Sequence, residues 1–249
     1  MTPNPQYPGQ PAPASQGTSG LAIAALICGI IGVCAPCPFG LISIGLGIGA
    51  LVKISNNPGL GGKVLAIVGM ILPVVVLPVY AAIAIPNFIK FQARAKQAEC
   101  KSNLKSAYTA ERSFQAEKNA YSTNANEIGF GPERGNRYAY FLFDVGQVQD
   151  RSTARPEDGP GVTGFGVDTF KHPQERPISY GDVPEVAGGQ RAGVHGQCPE
   201  CSFVVVCAGN IDKDATLDVW SISSEDRTSP KGEHIPGGIP FNDVSDVNE

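Results

Sequence analysis

The chain has 249 residues, 42% of them hydrophobic and 17% charged, with a formal net charge of -4. That balance excludes a strongly basic nucleic-acid binder, and the length allows one or two domains. The averages hide two materials, because the first 85 residues hold only two charged side chains, Lys53 and Lys63, and all 23 acids follow Pro86.

Residues 1–20 are rich in Pro, Gly, Gln and Ser and contain no Lys or Arg. Such a stretch lacks the apolar surface to offset chain entropy, so it is expected to be a disordered tail. Without a basic start it does not read as a cleaved secretory signal. None of Cys28, Cys34 or Cys37 follows the small residue a lipoprotein cleavage site needs. The N-terminus is therefore expected to stay on the mature protein.

Residues 21–80 read as a transmembrane module. Leu21 to Val52 and Val64 to Ile89 carry no charge, and each exceeds the ~20 residues that cross a hydrocarbon core. The first run is interrupted between Cys34 and Gly40 by two prolines, which break helical hydrogen bonding. It is either one kinked span or two shorter helices packed as a tight hairpin. Gly29, Gly32, Gly45, Gly47 and Gly49 permit close backbone approach. The phrase SGLAIAALICGIIG at 19–32, echoed by GKVLAIVG at 62–69, resembles a family of small bacterial membrane domains of unknown function, family 4190. That resemblance implies a membrane anchor. The short loop 53–63 carries both lysines, which favours the cytoplasm. The chain after Pro86 is then expected in the periplasm, outside a bacterial inner membrane. Lys90, Arg94 and Lys96 oppose that orientation.

From Pro86 to Lys118 the pattern is helical, with Phe88, Ala95, Leu104, Ala107, Tyr108, Glu111 and Phe114 on one stripe. The helix would be about 50 Å long and would end at Asn119. The phrase AAIAIPNF at 81–88, followed by this basic helix, resembles type IV pilins and type II secretion pseudopilins. The resemblance implies a spine helix packed on a sheet, no catalysis, and partners in a pilus or secretion apparatus. It also implies that the basic helix lies outside the membrane, which decides the orientation.

Four β-branched and aromatic runs follow, at 137–143, 161–167, 202–208 and 216–222, bounded by Gly, Asn and Asp. The fold class expected is α+β: membrane-embedded helices, then a pilin-like helix on a small antiparallel sheet, over 81–249. Residues 168–197 read as a long loop and 228–249 as a frayed tail. Charge is polarised: residues 90–118 carry seven basic and three acidic side chains, and residues 119–249 carry ten and twenty. Such a domain could stack through complementary fields, which steer encounter and fix register, or simply be solvated.

Two constellations could carry chemistry. Cys198 and Cys201 form a Cys-x-x-Cys pair, read as a structural disulfide in an oxidising compartment. A metal or thiol-redox site remains the alternative, with His195 and Cys207 nearby. Cys100 and Cys207 are open between a second bridge and two buried thiols. Asn210, Asp212, Asp214, Thr216 and Asp218 place oxygen ligands at alternate positions, as a calcium loop does. The sixth-place glycine is replaced by Ala215 and no bidentate glutamate follows, so a tight hairpin with Asx turns is the competing reading. Some pseudopilins bind calcium late in the chain, and the resemblance implies calcium in that sense only. No Ser/His/Asp set, phosphate loop or carboxylate pair stands out, and no enzyme, small-molecule substrate or nucleic-acid partner is expected.

The pilin resemblance breaks at one place. Pilins are cleaved after a glycine and carry a glutamate five residues into the mature chain. Counted back from Pro86, those positions are Val64, Leu65 and Gly69. The expectation is a pilin headpiece on a permanent anchor, in an interaction or scaffold role. Two alternatives remain: a subunit that polymerises, and a periplasmic metal or thiol-redox protein using Cys198 and Cys201.

Overall fold

A computed structural model describes residues 17–156, 159–211 and 216–246, apart from the side chains at 36 and 37. Most of the tail expected to be disordered lies outside the described residues. The chain divides into two compact units, Met1–Asn87 and Phe88–Glu249.

The first unit is helical. Helix α1 spans Gly20–Cys34 and α2 spans Pro36–Asn56. They meet at Ala35, so the first apolar run is two helices. Proline is tolerated in the first turn of α2, where the amide has no helical acceptor to lose. The pair doubles back: Gly32 faces Gly40, and Ser19 N–H donates to the Gly61 carbonyl at 3.0 Å. Helix α3 begins at Lys63 and runs to Lys118 through Pro73, Pro78 and Pro86. Its first part lies along both earlier helices. Tyr80 hydroxyl donates to the Val33 carbonyl, and Gly40 faces Pro73.

The second unit places the remainder of α3 on a sheet. Strands β1 (Tyr138–Phe141), β2 (Gln147–Gln149), β3 (Val162–Phe165), β4 (Gly193–His195), β5 (Ser202–Gly209), β6 (Asp218–Ser223) and β9 (Phe241–Val244) form it in the order β2-β3-β1-β5-β6-β9, with β4 also on β5. The sheet is mixed: the β2–β3 pair is parallel and the other pairs are antiparallel. A short helix α4 (Ala125–Ile128), a 3-10 turn (Tyr180–Asp182) and a two-stranded ribbon of β7 (Arg227–Thr228) and β8 (His234–Ile235) complete the elements among the described residues. The α+β expectation holds, with a long helix on a sheet.

Helix α3 ends because Asn119 takes a left-handed conformation, φ 54°, which stops helix propagation. Beyond Asn87 its buried face consists of Ala93, Gln97, Cys100, Leu104, Ala107 and Glu111. Phe88 and Ala95, expected on that face, are exposed. The true stripe steps by four and three from Ala93, and its polar member Gln97 disguised it, whereas Glu111 lies on it as expected.

Both faces of the sheet are covered. Phe203, Val205 and Cys207 face α3 with Tyr138, Tyr140 and Ile222. Val204, Val206 and Ala208 belong to a second cluster with Val167, Ile178, Val186 and Ala192. The segment 168–197 is therefore a packed second layer rather than a free loop. This explains why β5 is an uninterrupted apolar run, as a strand buried on both sides must be. The tail expected to fray holds β9, which pairs β6 through Trp220 with Asn242 and Ser221 with Phe241.

Candidate functional site

Three places bear on function: the helix contact around Gly69, the two cysteine pairs, and the carboxylate at Asp218.

Gly69 sits where α1 and α3 touch backbone to backbone. A Cβ on Gly69 would lie 2.6 Å from the Ala25 carbonyl oxygen, and one on Gly29 would lie 2.5 Å from the Gly69 carbonyl oxygen. A Cβ on Gly47 would meet the Met70 side chain at 2.2 Å. Glycine at these points lets helices approach closely where lipid gives no hydrophobic drive. No side chain fits at Gly69, least of all the glutamate that the pilin resemblance expects there.

Cys198 is joined to Cys201, and Cys100 to Cys207. The first pair closes a short loop, containing a cis peptide at Pro199, ahead of β5. The second ties α3 to β5 across the core, with both residues wholly buried. His195, on β4, bonds the Arg191 carbonyl at 2.8 Å. No group of three or more metal-capable side chains occurs among the described residues.

The acidic stretch divides. Asp212 and Asp214 lie outside the described residues. Thr216 is exposed and Asn210 is buried. Asp218 is fully buried at the start of β6. Its Oδ2 accepts from Tyr138 hydroxyl at 2.7 Å and Trp220 Nε1 at 2.6 Å. Its Oδ1 accepts from Gln97 Nε2 at 3.0 Å, Asn242 Nδ2 at 3.1 Å and Asp246 N–H at 3.4 Å. Five donors from α3, β1, β6, β9 and the chain beyond converge on one carboxylate. Such charge-assisted bonds are the strong ones, and their number leaves little of Asp218 for a cation. Beside it, Lys96 Nζ donates to the Ile211 carbonyl, and Ile211 N–H donates to Asp246 at 2.8 Å. The sequence reading missed Gln97, Asn242 and Asp246. The available signal was Gln97, a polar residue at a core-periodic helix position.

Other carboxylates are structural in the same way. Asp168 is buried and bonds Arg134 Nε at 2.6 Å. The Arg134 guanidinium, with the Lys171 and Gly135 amides, holds its carboxyl far below the usual range. Glu111 is buried with the Ser122 amide on its Oε2 at 3.2 Å. Burial pushes its carboxyl up to about 7, against the pull of that one amide. Burial also raises Glu99, opposed by bonds from the Arg137 amide and Tyr140 hydroxyl.

The type IV pilin PilA family matches residues 91–218, and the domain of unknown function DUF4190 matches residues 21–83. The chain is 39% identical over 199 residues to the type IV major pilin protein PilA of Myxococcus xanthus strain DK1622, which spans 73% of this chain and 90% of that protein. The chain belongs to the type IV pilin PilA family. The pilin match takes in the later part of α3 and strands β1 to β5, and the match to the domain of unknown function takes in α1, α2 and the start of α3. The family match begins at Phe91, after Gly69, and ends at Asp218, at the start of β6.

Proposed function

We propose that this pilin is a permanently membrane-anchored, non-catalytic interaction or scaffold component of a type IV pilus or type II secretion apparatus. The observation that carries the proposal is the α1–α3 contact at Gly29 and Gly69. It occupies the stretch of α3 on which an assembling pilin would be cleaved and paired with a neighbour. With α1 and α2 seated there, that surface is already used within the chain.

The helix reversal at Ala35 supports a topology. If α1, α2 and α3 all cross, the tail and the lysine-bearing loop share one side. Lys53 and Lys63 favour the cytoplasm for that side, which would put the headpiece in the periplasm. The Cys198–Cys201 and Cys100–Cys207 bonds suit an oxidising compartment.

A second reading, a polymerising pilus subunit, is favoured by the relative's being a major pilin. An N-terminal tag on the full chain separates the two. Tagged full-length protein in membranes, crosslinked to pilus or secretion proteins, fits the anchor. A mature form beginning near Leu65, or incorporation into filaments, would reject it.

A further inference from the structure

The two cysteine pairs sit in opposite surroundings. Cys100 and Cys207 are wholly buried between α3 and β5. Cys198 and Cys201 lie in the connection from β4 to β5, residues 196–201. That connection closes an antiparallel hairpin, in which His195 pairs with Ser202 and Val194 with Phe203. Residues 196–200 are all exposed, Cys198 among them. Cys201 alone of this connection is buried, and it belongs to the core cluster that holds Phe203 and Tyr121. The bond therefore has an outer end at Cys198 and an inner end at Cys201.

The hairpin tip is remote from Phe88, where this unit begins. Strand β5 runs antiparallel to α3: Phe203 packs on Tyr108 and Tyr121, Cys207 is bonded to Cys100, and the Ile211 carbonyl meets Lys96. The tip precedes Phe203 and so lies beyond Tyr108. At 1.5 Å per residue, Tyr108 is about 30 Å along the helix from Phe88.

The tip bond also does little to hold the fold. Its sequence separation is 3, against 107 for Cys100–Cys207, and so short a loop removes little freedom from the unfolded chain. The hairpin is held independently by the β4–β5 backbone pairing and by Val194, which packs on the α3-side core. Opening the bond leaves those contacts in place.

We infer that Cys198–Cys201 is a thiol-exchange site that takes a dithiol reductant at the exposed Cys198 sulfur. Attack by the reductant's first thiolate forms a bond to Cys198 Sγ and breaks the Cys198–Cys201 bond. Cys201 leaves as a thiolate and takes up a proton. The reductant's second thiolate then attacks its own sulfur in the mixed disulfide, and Cys198 leaves and is protonated in turn. Two electrons and two protons pass to the pair, and the reductant ends as a disulfide. In the reverse direction Cys198 holds the mixed disulfide and Cys201, three residues on, resolves it. The buried Cys100–Cys207 bond offers an incoming thiolate no such approach. This exchange concerns the headpiece alone, so it goes beyond the anchor reading and is independent of it.

The test uses the full chain in detergent, with its free thiols first blocked by N-ethylmaleimide. Dithiothreitol is added in steps, newly freed thiols are alkylated with iodoacetamide, and peptides are mapped by mass. Cys198 and Cys201 should be labelled together, about tenfold or more faster than Cys100 and Cys207, because exchange depends on access. Circular dichroism should stay unchanged while they are. Cys201→Ser leaves a lone Cys198, which should take up glutathione from glutathione disulfide. Cys198→Ser leaves the buried Cys201, which should do so about tenfold more slowly. Reduction of both bonds at one rate, loss of the folded signal as the tip bond opens, or equal glutathione uptake by the two variants overturns the inference. The wild-type kinetics decide the matter even if a variant misfolds. The N-terminal tag result is unaffected by any of these outcomes, so failure here is distinguishable from failure of the anchor reading.

Discussion

Tyr138 hydroxyl donates to the Asp218 carboxylate at 2.7 Å, joining β1 to β6 beneath α3. Tyr138 and Asp218 are both buried, and four more donors meet the same carboxylate. Asp218→Ala should strand those donors without water. The expected loss is about 3 kcal/mol or more, since bonds to a charged group contribute roughly 1.5–3 each and orphaned donors cost extra. Asp218→Asn should cost nearly as much, because its amide nitrogen would face donors. Urea unfolding of the full chain measures both, and an unchanged midpoint would remove Asp218 as the organiser of this layer.

Calcium binding by Asn210, Asp212, Asp214, Thr216 and Asp218 remains a proposal, now weakened by the commitments of Asp218. If calcium binds, mass action stabilises the folded state. The chain should then melt higher in millimolar calcium than in chelator, and Asp214→Ala should abolish the difference. Equal melting in both leaves a plain hairpin between β5 and β6.

Glu111 gives a pH dependence with a definite sign. Burial raises its folded carboxyl to about 7 from the ordinary 4.5. Between those values the folded state keeps a proton that the unfolded state releases. Stability from this group is therefore greatest below about 4.5, falls as pH rises towards 7, and is level above that. The span is on the order of 3 kcal/mol at most. Glu99 and Asp243 are also raised by burial, and Asp168 is lowered. The clean readout is therefore wild type against Glu111→Gln, whose urea midpoints should diverge from pH 5 to pH 8. Parallel curves would show that Glu111 is ionised throughout.

The Cys100–Cys207 bond closes a chain segment with a sequence separation of 107. Constraining so long a loop in the unfolded chain contributes about 4–5 kcal/mol in the chain-entropy model. The Cys198–Cys201 bond, with a separation of three, contributes far less by that route. Replacing Cys100 and Cys207 by Ala should lower the melting temperature much more than replacing Cys198 and Cys201. Peptide mapping without reductant should recover both pairs, and quantitative alkylation of either pair would refute it.

At Gly69 an added methyl group meets the Ala25 backbone rather than a pliable side chain. Gly69→Ala should push α1 away from α3 at a cost of about 1–3 kcal/mol. Gly69→Glu should be worse, adding a buried charge without a partner. Introduced cysteine pairs across α1 and α3, crosslinked in membranes, report the separation. Normal crosslinking in Gly69→Glu would mean that the close helix contact is absent.

The sequence by itself determined the division of material. Charge-free runs before Pro86, the stop at Asn119 and the β-branched runs specify helices, a spine and strands, because periodicity and composition are local properties. The observed strands Tyr138–Phe141, Val162–Phe165, Ser202–Gly209 and Asp218–Ser223 all fall within or beside the expected runs. The Asx-rich stretch before β6 was legible as an acidic cluster, but not the fate of its last member.

Only the tertiary structure decided what touches what. Asp218 looked like a loop ligand because its neighbours in sequence are acidic. Its five donors come instead from residues as distant as Gln97 and Asp246. The segment 168–197 looked loose because Gly and Pro suppress regular structure, yet Ile178, Val186 and Ala192 cover the far side of the sheet. Gly69 read only as a missing glutamate until Ala25 was found against it. In each case the deciding term is burial beside a residue remote in sequence, which no local pattern encodes.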